Sequence, residues 1–96
     1  MKKDTRISEN KFKQLLGISL RRQRKKLRLT QDQVAKHAGI TRNYLSLIEN
    51  GKRTGTIWTI HSIATAVGIE LSAIITSAKE AVQIPVSQIR ERLKNI

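Results

Sequence analysis

The run Thr30–Gly51, TQDQVAKHAGITRNYLSLIENG, leaves this chain the least conformational freedom. Thr30 is a natural helix N-cap, and Gln33 three residues on completes the capping-box pattern, in which each side chain satisfies the other residue's backbone N–H. Val34, Ala35 and Ala38 then give a short helix one apolar face, and Gly39 ends it. Glycine suits that place because the residue after a helix often takes positive φ, where a Cβ is penalised. Ile40 is the apolar plug of the turn, Thr41 caps a second helix, and Leu45 and Ile48 point that helix inward. Two short helices at a wide angle across a tight turn are therefore expected. The outer face of the second keeps Arg42, Asn43, Tyr44, Ser46 and Leu47, mostly groups that suit base edges or phosphates.

Charge narrows what such a surface meets. Nineteen Lys+Arg against seven Asp+Glu leave +12 on 96 residues, a field that favours nucleic acid or an anionic membrane surface. A membrane-surface peptide lines its charges along an amphipathic helix with aromatics opposite. Capped short helices and one each of Phe, Tyr and Trp do not fit that, so no membrane partner is expected, nor a stacking platform for single strands. The length allows one domain with a modest core. With no cysteine there is neither a disulfide framework nor a thiolate metal site. No run of about 18 apolar residues occurs, and the first lysines lack an apolar stretch behind them, so a cytoplasmic or nucleoid-associated chain is expected. His37 and His61 have no Cys, His or carboxylate cluster around them in the sequence. Neither reads as a metal ligand or a base. No nucleophile–base pair and no phosphate-binding glycine loop occurs either, so the expectation is no enzyme, no cofactor and no metal.

Along the chain, residues 1–10 read as a flexible basic arm, in which Lys2, Lys3 and Arg6 suit phosphates or a minor groove. Residues 11–82 read as the main domain. Its first helix is expected from Ser8 or Asn10 to about Leu27, with Phe12, Leu16, Leu20 and Leu27 at helical spacing and Arg24 on the same face. Arg21, Arg22, Arg24, Lys25, Lys26 and Arg28 fall within eight residues. Arg24 stands apart, since the apolar stripe passes through it and a buried guanidinium needs a carboxylate. Gln31, in the first turn of its helix, is placed for a phosphate beside unpaired N–H groups. A fourth helix is expected after Thr56, with Ile57, Ile60, Ile63, Ala64 and Val67 as its buried stripe, Trp58 one position off it, and Gly68 as its stop. Leu71, Ile74, Ile75, Ala78 and Val82 form a further apolar stripe, more than a closed small bundle needs, and so a dimer seam is expected there, with Trp58 as a second candidate. Gln83-Ile84-Pro85 breaks that helix, and residues 83–96 read as a C-terminal amphipathic helical extension carrying Val86, Ile89, Leu93 and Ile96.

TQDQVAKHAGITRNYLSLIENGK is similar to the helix-turn-helix of the Cro/repressor-type (XRE-like) transcriptional regulators of phages and bacteria. The resemblance runs from about Gly17 to Ile75 and includes the basic lead-in LRRQRKKLRLTQ and the segment IHSIATAVGI. Within the family, RNYLSLIENG most resembles the controller proteins of restriction-modification systems, with their Arg-x-Tyr recognition helix. The resemblance implies an all-α, lambda-repressor-like DNA-binding bundle of about five helices, encoded by a bacterium or a phage. It pairs Arg24 with Glu49 as a structural ion pair, lets Gln31 brace the recognition helix, and puts a phosphate by Asn50, Lys52 and Arg53, with Thr41 also on the backbone. The family's usual proline before the fourth helix is replaced by Gly55.

With the second helix in a major groove, Arg42 carries the fork for guanine O6/N7 and Asn43 the bidentate pair for adenine N6/N7. Tyr44 suits a sugar or a thymine methyl, Ser46 a phosphate or base edge, and Leu47 an apolar contact. The implied function is a sequence-specific regulator that binds a two-fold double-stranded operator as a homodimer and represses by exclusion or activates by touching RNA polymerase. The alternatives are a phage-type repressor, or an antitoxin that sequesters a toxin protein and represses its own operon.

Overall fold

The computed structural model describes residues 8–70, 72–73, 90–91 and 93–94. Four helices lie among them: α1 (Glu9–Lys26), α2 (Gln31–Ala38), α3 (Arg42–Glu49) and α4 (Ile57–Ala66). The expected fifth helix, with Leu71, Ile74, Ile75 and Ala78, falls outside the described residues except for Ser72 and Ala73, which are helical and exposed. The arm up to residue 7 and most of the C-terminal extension fall outside as well.

Each helix begins on a hydroxyl. Ser8, Thr30, Thr41 and Thr56 accept from the backbone N–H of Lys11, Gln33, Tyr44 and Thr59, which satisfies one of the donors a helix start leaves unpaired. At Thr30 the box is complete, since the Gln33 carbonyl oxygen accepts from the Thr30 N–H at 2.8 Å. Each helix also ends alike, on a left-handed residue between two backward hydrogen bonds. After α2 the residue is Gly39, at φ +72°, with Gly39 N–H donating to Lys36 and Ile40 N–H to Ala35. After α1 the same place falls to Arg28, at φ +58°.

The core is drawn from all four helices: Leu16 and Leu20, Val34 and Ala35, Leu45 and Ile48, Ile60, Ile63 and Ala64, closed by Val67. α1 packs on α3, while α2 packs on both α3 and α4. The Gln23 amide donates to the Val67 carbonyl at 3.2 Å and ties α1 to the end of α4. Gly17 sets how closely α1 and α3 cross, because a Cβ there would stand 2.4 Å from the Ile48 carbonyl oxygen and 2.5 Å from that of Glu49.

Two residues expected in the core are outside it. Leu27 is the C-cap of α1 and is exposed; the left-handed turn at Arg28 carries the chain inward one step later, and Leu29 packs on the core instead. Ile57 is 74% exposed despite its spacing from Ile60, because it opens the first turn of α4, where the stripe has run past its neighbours. Trp58 beside it is 72% exposed, so the start of α4 shows a pair of large apolar side chains.

Candidate nucleic-acid interface

α3 owes its orientation to its buried side, where Leu45 and Ile48 are fully enclosed and Glu49 joins them. At 3.6 residues per turn the opposite side is centred on Asn43 and Leu47, with Ser46 beside them. Asn43 is exposed, and Ser46 and Leu47 are half-buried. Arg42 and Tyr44 fall on the two flanks. Arg42 is exposed and leans toward α2, its Nε 3.9 Å from Asp32 Oδ1. Tyr44 packs partly on the core and turns its hydroxyl over the loop after α3; a Cβ on Gly55 would stand 2.9 Å from that oxygen. Gly55 takes φ +72°, a conformation closed to proline, whose ring holds φ near −65°.

Beneath this face lies a buried charge network. Arg24 Nε donates to Glu49 Oε2 at 2.7 Å and Arg24 Nη2 to Glu49 Oε1 at 2.9 Å. Arg24 Nη1 donates to the Leu29 carbonyl at 2.8 Å, and Gln31 Nε2 adds a bond to Glu49 Oε1 at 3.1 Å. The carboxylate thus gathers α1, α2 and α3 on one anchor. Bidentate geometry and full hydrogen bonding offset what it costs to bury both charges.

Two open recesses flank α3. The first, about 520 Å³, lies between α1, the start of α2 and α3, and is lined by Arg21, Gln31, Asp32, Arg42 and Asn50 above the Arg24–Glu49 pair. The second, about 380 Å³, is lined by Lys13, Tyr44, Lys52, Arg53, Thr54 and Gly55, with Glu9 at its rim. Each recess presents cations beside α3, the first Arg21 and Arg42 alongside Asp32, the second Lys13, Lys52 and Arg53. Thr41 spends its hydroxyl acceptor on the Tyr44 N–H, and Asn50 Nδ2 reaches Ser46 Oγ at 3.3 Å. Lys52 and Arg53 are exposed on the loop.

Of the expected site residues, Arg42, Asn43, Tyr44, Ser46 and Leu47 lie on α3, Thr41 caps it, and Gln31, Asn50, Lys52 and Arg53 line the two recesses beside it. Trp58 is apart from them, over a recess shared with His37 and Gly39, its ring 5.6 Å from that of His61. The dimer candidates Leu71, Ile74, Ile75 and Ala78 lie outside the described residues. Three participants were not picked out from the sequence. Lys13 and Asp32 enter only through packing between separate elements, Lys13 beside the loop after α3 and Asp32 beside Arg42. Gly17 does carry a signal, since a glycine inside a helix costs about 1 kcal/mol against alanine and so marks a close approach.

A family model described as a helix-turn-helix domain matches residues 15–73. The chain is 32% identical over 69 residues to the uncharacterized HTH-type transcriptional regulator y4dJ of Sinorhizobium fredii, covering 72% of this chain and 90% of that protein. It is 37% identical over 60 residues to the immunity repressor protein of Bacillus phage phi105, covering 62% of this chain and 42% of that one. Among solved structures it is similar to the restriction-modification controller protein C.AhdI from Aeromonas hydrophila, with 31% identity, a TM-score of 0.62, and coverage of 65% of this chain and 94% of that one. The clp gene regulator ClgR from C. glutamicum shares the fold, with a TM-score of 0.69 at 22% identity over 75% of this chain and 92% of that one.

Proposed function

Because this chain belongs to the helix-turn-helix domain family, we propose that it regulates transcription as a homodimer on a two-fold operator and that it controls a restriction-modification system. The observation that carries the DNA reading is α3 itself, anchored from below by Glu49, with Arg42 and Asn43 exposed and a cation-lined recess on either flank. Arg42, Asn43, Ser46 and Leu47 meet base edges, with Tyr44 at the sugar. Gln31, Thr41, Asn50, Lys52 and Arg53 hold the phosphates. A single recognition helix reads only a few base pairs, so two copies on half-sites about one helical turn apart supply the remaining specificity. The seam is the sequence stripe Leu71, Ile74, Ile75 and Ala78, with exposed Trp58 as the second candidate.

The likeness to C.AhdI, a restriction-modification controller protein, supports that role. The likeness to the phage phi105 immunity repressor supports a second reading, a phage-type repressor. Footprinting on the DNA upstream of the chain's own gene tests both. Protection of two half-sites related by a dyad, beside a restriction or methyltransferase gene, fits the controller; the same footprint within a prophage fits the repressor. No footprint at any upstream sequence counts against both readings. Sedimentation tests the seam: Ile75→Asp is expected to yield monomers that keep their helical signal, whereas an unchanged dimer moves the seam elsewhere.

A further inference from the structure

We propose that Asp32 is a positioning residue for base readout, holding the Arg42 guanidinium by its Nε edge so that both Nη groups face one guanine. This rests on the DNA reading above. The ion pair runs from Nε of Arg42 to Oδ1 of Asp32 at 3.9 Å, and both side chains are mostly exposed. Guanine O6 and N7 accept two parallel bonds, and an arginine drawn by charge toward a carboxylate on its Nε side, here at a distance beyond a hydrogen bond, keeps its two Nη groups available for both. Without that hold the long side chain spreads over several rotamers, many of which reach a phosphate rather than a base.

Charge makes the same selection. Asp32 lines the first recess, where it stands among Arg21, Gln31 and Arg42; the other carboxylate there, Glu49, is taken by Arg24. On a face otherwise built to attract phosphates, an acid weakens binding to every sequence alike. It repels a phosphate from the place where Arg42 would otherwise find one, so a base edge becomes the better partner. Discrimination gained by penalising the wrong contact is a general route to specificity. Asp32 also sits in the first turn of α2, where a negative charge favours the helix. A purely structural role of that kind changes stability and leaves base preference untouched.

The full chain, as wild type, Arg42→Ala and Asp32→Asn, is used to enrich a pool of random-sequence DNA duplexes. Anisotropy titrations then compare the enriched duplex, its single-base variants and a scrambled duplex. Arg42→Ala is expected to flatten the preference at one base pair per half-site. Asp32→Asn is expected to lower the guanine preference at that same base pair about two- to fivefold, the worth of an exposed ion pair. It should leave other positions unchanged and bind the scrambled duplex more tightly than wild type. The proposal is overturned if Asp32→Asn keeps the full preference at the Arg42 position, if it weakens all positions equally, or if Arg42→Ala flattens none. A wild type that enriches no motif overturns the DNA reading itself and this proposal with it.

Discussion

Replacing Glu49 with alanine removes an acceptor that three donors share: Arg24 Nε at 2.7 Å, Arg24 Nη2 at 2.9 Å and Gln31 Nε2 at 3.1 Å. Gln31 is half-buried and can turn its amide to water. Arg24 cannot, because it is only 8% exposed and keeps a single partner, the Leu29 carbonyl. The loss is therefore that of a buried guanidinium without its carboxylate, about 3–5 kcal/mol. A domain of this size holds roughly 5–15 kcal/mol in all. At about 4–8 °C per kcal/mol the midpoint of thermal unfolding should fall by roughly 12–40 °C. The double change Arg24→Met with Glu49→Leu removes both charges and fills the space with apolar atoms, at the cost of one unpaired Leu29 carbonyl, about 1 kcal/mol. It should be at least about 2 kcal/mol more stable than Glu49→Ala. Circular-dichroism melts of Arg24→Met, Glu49→Leu and the double complete the cycle. Base preference, measured below each midpoint, should not change, since neither residue reaches the outer face of α3. Single losses below about 1 kcal/mol that simply add would refute the buried-pair reasoning, because two solvated charges behave that way.

Gly17→Ala should destabilise by about 1–3 kcal/mol in urea titrations, although alanine is the better helix former, because the new Cβ meets two backbone oxygens of α3 that cannot turn aside; a stabilised variant would mean that α1 and α3 stand further apart. Arg28→Gly should stabilise by about 0.5–1 kcal/mol, since Arg28 holds φ +58° at a helix end where Gly39, Gly51 and Gly68 serve the other three helices; a fall in the melting midpoint would show that the Arg28 side chain contributes more than its backbone costs. Lys52→Ala should weaken binding to specific and scrambled duplexes alike and reduce the slope of log K against log salt by about one unit; an unchanged slope would take Lys52 off the phosphate.

What could be read directly was what neighbours in sequence decide. A cap is a hydrogen bond across three residues, so Thr30 with Gln33, and Thr41 and Thr56 with the N–H groups they accept, were legible from residue type and spacing. Gly39 marked its turn for the same local reason, the absence of a Cβ at positive φ. Helical periodicity likewise set Leu16, Leu20, Val34, Leu45, Ile48, Ile60 and Ile63 on inward faces. Periodicity says which residues share a stripe, but it does not say where a neighbouring helix stops covering that stripe. Ile57 is in phase and bare, and Leu27 gave way to Leu29 once Arg28 turned the chain. The Arg24–Glu49 pairing came from a family resemblance and not from spacing, since 25 residues separate the partners. Gln31 on Glu49, Asp32 beside Arg42 and the Gly17 crossing all join different helices. Their contacts depend on interhelical distance and angle, which are settled only when the whole core closes.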